Sequence, residues 1–110
     1  MKQYVIDELR PADYDMLRTR LEECFGPPEL GGVFWVPIDP RHYSAMQRSH
    51  GDCHPFYFAV ELQDQSLACE LLVRTRQRVR CDCIAYATHA QRNWIIAVID
   101  DILDKLDITV

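Results

Sequence analysis

FYFAVELQ at residues 56–63, LACELLVRT at 67–75 and VRCDCIAYA at 79–87 all alternate in side-chain character with the two-residue period of a β-strand. Short polar connections separate them, at 64–66 and 76–78. One face collects Phe56, Phe58, Val60 and Leu62, then Leu67, Cys69, Leu71 and Val73, then Val79, Cys81, Cys83 and Ala85. A one-residue slip would turn each set into water, so the pattern sets the phase of an antiparallel three-stranded meander.

Upstream, residues 2–9 predict a first strand. Pro11 then suits the opening turn of a helix, where its missing N–H is no loss. Tyr14, Leu17, Leu21 and Cys24 or Phe25 recur at helical spacing, and Gly26-Pro27-Pro28 stops the pattern, giving a helix over 11–25. Val33–Ile38 reads as a short strand that Pro37 confines to an edge or a strand end. Residues 39–55 are the least regular stretch. Asp39 and Pro40 can start one or two helical turns over 40–48, and 49–55 is loop by composition. After the meander, Thr88 and Gln91 have capping-box spacing, and Ile95, Ile99, Ile102 and Leu106 form the stripe of a terminal helix. The order β-α-β-β-β-β-α predicts an α+β fold: a two-layer sandwich with a mostly antiparallel sheet of about five strands and both helices on one face.

The chain has 110 residues, enough for one domain (1–110) with its own core. Its apolar and charged fractions are those of a globular protein, which excludes disorder. No apolar run approaches the roughly 18 residues of a membrane span, and acids interrupt the N-terminal segment where a signal peptide would be apolar. A cytoplasmic location without membrane contact is the expectation. Net charge −5 and a pI near 5.2 argue against a general nucleic-acid binder. Five cysteines, an odd count, point to free thiols rather than a disulfide framework; Cys69, Cys81 and Cys83 read as small core hydrophobes.

Four sets of residues are candidates for a site. Arg74, Arg76, Arg78 and Arg80 crowd a predicted hairpin tip, with Arg74 facing Arg80. They are read first as a soluble tip neutralised by Glu70, Asp82 and acids of the last helix, and otherwise as an anion or nucleic-acid contact. His50, Cys53 and His54 offer imidazole and thiolate to a metal, with Cys81 and Cys83 as distant partners and His42 upstream. A cysteine–histidine nucleophile there ranks lower, because no third orienting group is visible. Tyr57, Leu72, Ile84 and Tyr86 fall on the sheet face away from the helices, with Tyr57 expected beside Leu72 and Glu70 beside Ile84. So much apolar surface on an open face suggests a partner, and a symmetric homodimer is the commonest one. Asp100, Asp104 and Asp107 along the last helix are read first as a solvated flank, and otherwise as carboxylates that could hold magnesium with a phosphate substrate. No phosphate loop, dinucleotide fingerprint or nucleophile elbow occurs. The leading expectation is a non-enzymatic interaction or self-associating module with no cofactor.

Overall fold

The computed structural model describes residues 2–77 and 81–109. Strand β1 (Gln3–Ile6) leads into helix α1 (Pro11–Phe25), then β2 (Val33–Pro37). Helix α2 (Ala45–Ser49) lies between two 3-10 turns, Pro40–His42 and Gly51–Cys53. Strands β3 (Phe56–Leu62), β4 (Leu67–Glu70) and β5 (Arg74–Thr75) follow, and α3 (His89–Lys105) closes the chain. The sheet is antiparallel in the order β1-β4-β3-β2, with β5 continuing β4's side of β3. This is the α+β architecture that the hydrophobic pattern predicts, and β2, the strand carrying Pro37, is at an edge.

Strand β3 is the axis. Phe56, Phe58 and Val60 are at most 1% exposed and sit with Leu67, Cys69, Leu71 and Val73 in the core. Leu17 and Leu21 of α1 and Ile95, Ile99, Ile102 and Leu103 of α3 belong to the same cluster. The Trp94 ring stacks on Phe58 across the two layers. On the other face, Trp35, Tyr57, Ala59, Leu72 and Glu70 are half-exposed.

The third run of the meander departs from expectation. Val79 and Arg80 lie outside the described residues, and Cys81–Ile84 is a turn closed by a hydrogen bond from Ile84 N to Cys81 O. Among the described residues of this run, only 85–87 pair with the second run, through Val73 N to Ala85 O, Ala87 N to Leu71 O and the Leu72–Tyr86 bridge. The place facing Glu70 is taken instead by Gln3 of β1. The second run is also broken: β4 pairs Val60 with Cys69, whereas β5 pairs Tyr57 with Arg74. Two extra residues are accommodated on the β4–β5 side. Tyr57 therefore faces Arg74, not Leu72, and Glu70 does not face Ile84.

Residues 29–33 form the tight turn that enters β2, with Gly32 N donating to Glu29 O. Gly32 has φ +76°, and a Cβ there would stand 2.7 Å from the Leu62 carbonyl oxygen. Both facts require glycine. Gly32→Ala is expected to destabilise the fold by more than about 1 kcal/mol in urea unfolding. Gly51→Ala, with open space at its Cβ, is the control and should cost less.

Candidate metal centre

Two capping boxes build the irregular lobe between β2 and β3. Ser44 caps α2: its hydroxyl accepts from Gln47 N, and Gln47 Oε1 accepts from Ser44 N. Thr88 and Gln91 do the same for α3. The two glutamines then meet. Gln91 Nε2 donates to Gln47 Oε1 at 2.7 Å and to the His42 carbonyl at 2.9 Å. Both side chains are buried, so this network satisfies polar groups that would otherwise be costly. It fixes α2 against the start of α3, and α2 delivers His50 at its C-terminal end, where His50 N donates to Gln47 O.

The 3-10 turn Gly51–Cys53 carries the chain on to Cys53, whose carbonyl accepts from the Thr75 hydroxyl of β5. Cys81 and Cys83 arrive from the turn after the second run. The four side chains converge: their ligand atoms all lie within 4.8 Å of one another. His50 Nδ1 is 3.0 Å from Cys81 Sγ, and Cys53 Sγ is 3.6 Å from Cys81 Sγ. Cys53 and Cys83 are buried, while His50 and Cys81 are half-exposed.

The electrostatics divide the thiols. The Cys81 thiol is drawn down to about 6, chiefly by the Cys83 backbone N–H on its sulfur, then by the Cys83 side chain, with His50 and Cys53 adding to it. Cys83 is pushed up to about 12, first by burial. Cys69, in the core and outside this group, is likewise raised to about 12 by burial. Cys81 thus loses its proton more readily than Cys83, which needs a nearby cation to offset the cost of ionising where it is buried.

Three sulfurs and one imidazole nitrogen from two chain segments match a closed tetrahedral zinc set. A Zn–S bond of about 2.3 Å places sulfurs about 3.8 Å apart along a tetrahedral edge. The Cys53–Cys81 separation is already of that size. A backbone N–H held on a ligating sulfur is the kind of outer contact that orients such ligands. No family model matches this chain, and no curated protein or solved structure is significantly similar to it. What the site does has to be read from its own chemistry.

Of the predicted metal residues, His50 and Cys53 belong to the cluster and His54 does not. His54 Nε2 contacts the Gln47 carbonyl at 2.6 Å, and its ring packs on Tyr43 and Phe56. His42 packs on Trp94 instead. Cys81 and Cys83, read as core hydrophobes with a metal role only as distant partners, supply the other half. The missed signal was His50-x2-Cys53 itself, a knuckle spacing with one imidazole in place of a second thiolate.

The other predicted sites are more dispersed. Arg74 pairs with Glu70. Arg76 pairs with Glu29 and lies over the Trp35 ring. Arg78 and Arg80, and hence the expected Arg74–Arg80 apposition, lie outside the described residues. The terminal acids face elsewhere: Asp100 accepts from the Tyr4 hydroxyl and Asp101 pairs with Lys105. On the open face Leu72 and Tyr86 are adjacent, Tyr57 stands edge-on to Trp35, and Ile84 is half-exposed in the 81–84 turn.

Gln91→Leu keeps the volume but removes the partner of the His42 carbonyl and of the Thr88 N–H, while Gln47 Oε1 keeps its bond from Ser44 N. It is expected to cost about 1–3 kcal/mol, read from denaturant midpoints. An unchanged midpoint would show that the lobe does not depend on this network.

Proposed function

We propose that the chain is a non-enzymatic interaction domain whose irregular lobe is held by one structural zinc ion on His50, Cys53, Cys81 and Cys83. The observation that carries this reading is the convergence of four ligand atoms within 4.8 Å from segments about thirty residues apart in the chain. A complete set of four protein ligands leaves no open position for substrate, which favours a structural over a catalytic ion. This departs from the sequence-based expectation of no cofactor. Free thiols at all five cysteines are compatible with a reducing compartment and with the cytoplasmic residence expected from sequence.

Protein purified without a histidine tag should carry about one zinc per chain by elemental analysis, and cobalt in its place should give the visible spectrum of a tetrahedral thiolate site. Removing the metal should lower stability by about 3 kcal/mol or more, the linkage when free zinc exceeds its dissociation constant about a hundredfold. Cys81→Ser should lose the cobalt spectrum, whereas His54→Gln should keep it. Zinc-free protein whose melting is indifferent to chelator would reject the site.

Self-association through the open sheet face remains the second reading, and Tyr86 motivates it. This large aromatic is 46% exposed beside half-exposed Leu72, on a face that also carries Tyr57, with Ile84 in the adjoining turn. A symmetric pairing would cover that surface. The arginine hairpin is a weaker basis for nucleic-acid binding, since Arg74 and Arg76 already engage carboxylates. Sedimentation should show a dimer that Leu72→Asp converts to monomer. A wild-type monomer at about 100 µM, well above a micromolar dissociation constant, would end this reading.

A further inference from the structure

The chain changes partners at Leu71, the residue after β4. Its N–H donates to Lys2 O beside β1, and its carbonyl accepts from Ala87 N of the 85–87 run. Lys2 and the 85–87 run flank this position, and α3 begins immediately after, with Thr88 as its N-cap. Here lies a cleft of about 250 Å³ lined by Lys2, Leu71, Tyr86, Ala87, His89 and Arg92. Among the described residues no acid lines it, in a chain whose net charge is −5. Among the described residues no ion pair engages Lys2, His89 or Arg92. Lys2 lies over the Tyr86 ring, 5.4 Å from its centroid, so a cation and an aromatic face are presented together.

The helix adds to this. The first turn of α3 holds no acid, and His89 and Arg92 stand there against the positive end of the dipole. Cations gathered at that end are suited to an anion, which would also meet free backbone N–H groups. Leu71, Ala87 and the Tyr86 ring supply an apolar wall for whatever carries the charge.

We infer that this cleft binds the phosphate group of a small phosphomonoester that has an apolar or aromatic body. Lys2 and Arg92 bond the phosphate oxygens, the α3 amides face the same group, and Tyr86 with Leu71 covers the body. The site is separate from the metal cluster.

The test is titration of the full, zinc-supplemented chain with phenyl phosphate, followed by amide NMR shifts, with inorganic phosphate and phenol as part-ligands. Saturable shifts centred on Lys2, Ala87, His89 and Ala90 are expected, with phenyl phosphate binding more tightly than either part. Lys2→Gln with Arg92→Gln, both on exposed side chains, should weaken binding about tenfold or more. Arg41→Gln with Lys105→Gln, which removes the same charge elsewhere, should leave it unchanged. No saturation by about 10 mM, shifts centred elsewhere, or equal losses in the two double variants would overturn the proposal. The thermal midpoint of each variant, checked beforehand, separates lost binding from lost folding.

Discussion

The packing of β3's even-numbered side chains is the constraint on which the rest of the fold hangs. Phe56, Phe58, Val60 and Leu62 face both long helices, while the strand's two edges are bonded to β2 on one side and to β4 and β5 on the other. Every partner must match that phase. The two-residue offset between β4 and β5 survives because two is the period of the strand. Leu67, Cys69, Leu71, Val73 and Thr75 all stay buried although their cross-strand neighbours change. An offset of one would have turned half of that set outward.

The lobe between β2 and β3 obeys a different rule. It has no stripe of its own to bury and is held by polar bonds that must all be satisfied. Gln91 spends one amide group on the Thr88 N–H, the His42 carbonyl and Gln47, so the start of α3, the turn at 40–42 and α2 are fixed together. Such networks stabilise only when complete. The side chains of His50, Cys53, Cys81 and Cys83 add a second meeting point, bringing the end of α2 and the turn after it against the 81–84 turn. Burial opposes ionisation of Cys83, and a divalent cation reverses that sign.

The fold was legible in the sequence because its signals are periodic. The helix at 11–25, the capping box at Thr88 and Gln91, the edge position of β2 and the buried face of β3 all follow from spacing. Register was not legible, since residues 71–73 keep the alternation of an unbroken strand while pairing as a bulge. The third run alternates too, yet Cys81–Ile84 turns back; Cys83 stays in the core as its spacing suggests, and the turn brings both sulfurs beside His50 and Cys53. Half of the metal cluster could be read from residues close in the chain. The other half required knowing which turn folds over which, and His54 was a decoy whose ring is taken up by Tyr43 and Phe56.

Helix α3 carries its charges against its own dipole at both ends. Its first turn is basic, and Asp100, Asp101 and Asp104 crowd the last two turns. Each misplaced charge costs about 0.3–1 kcal/mol when nothing answers it. At the C-terminal end Asp100 accepts from Tyr4, and Asp101 is offset by Lys105. At the N-terminal end no described side chain plays that part. The segment 81–87 joins that unanswered end to the His50–Cys53–Cys81–Cys83 cluster, with Cys81 and Cys83 at one end and the cleft wall at Tyr86 and Ala87. With only a few backbone bonds to the sheet, this segment takes its path from the cluster at one end and from the cap of α3 at the other. A metal held by those sulfurs, as proposed, would therefore also hold the aromatic wall beside Lys2.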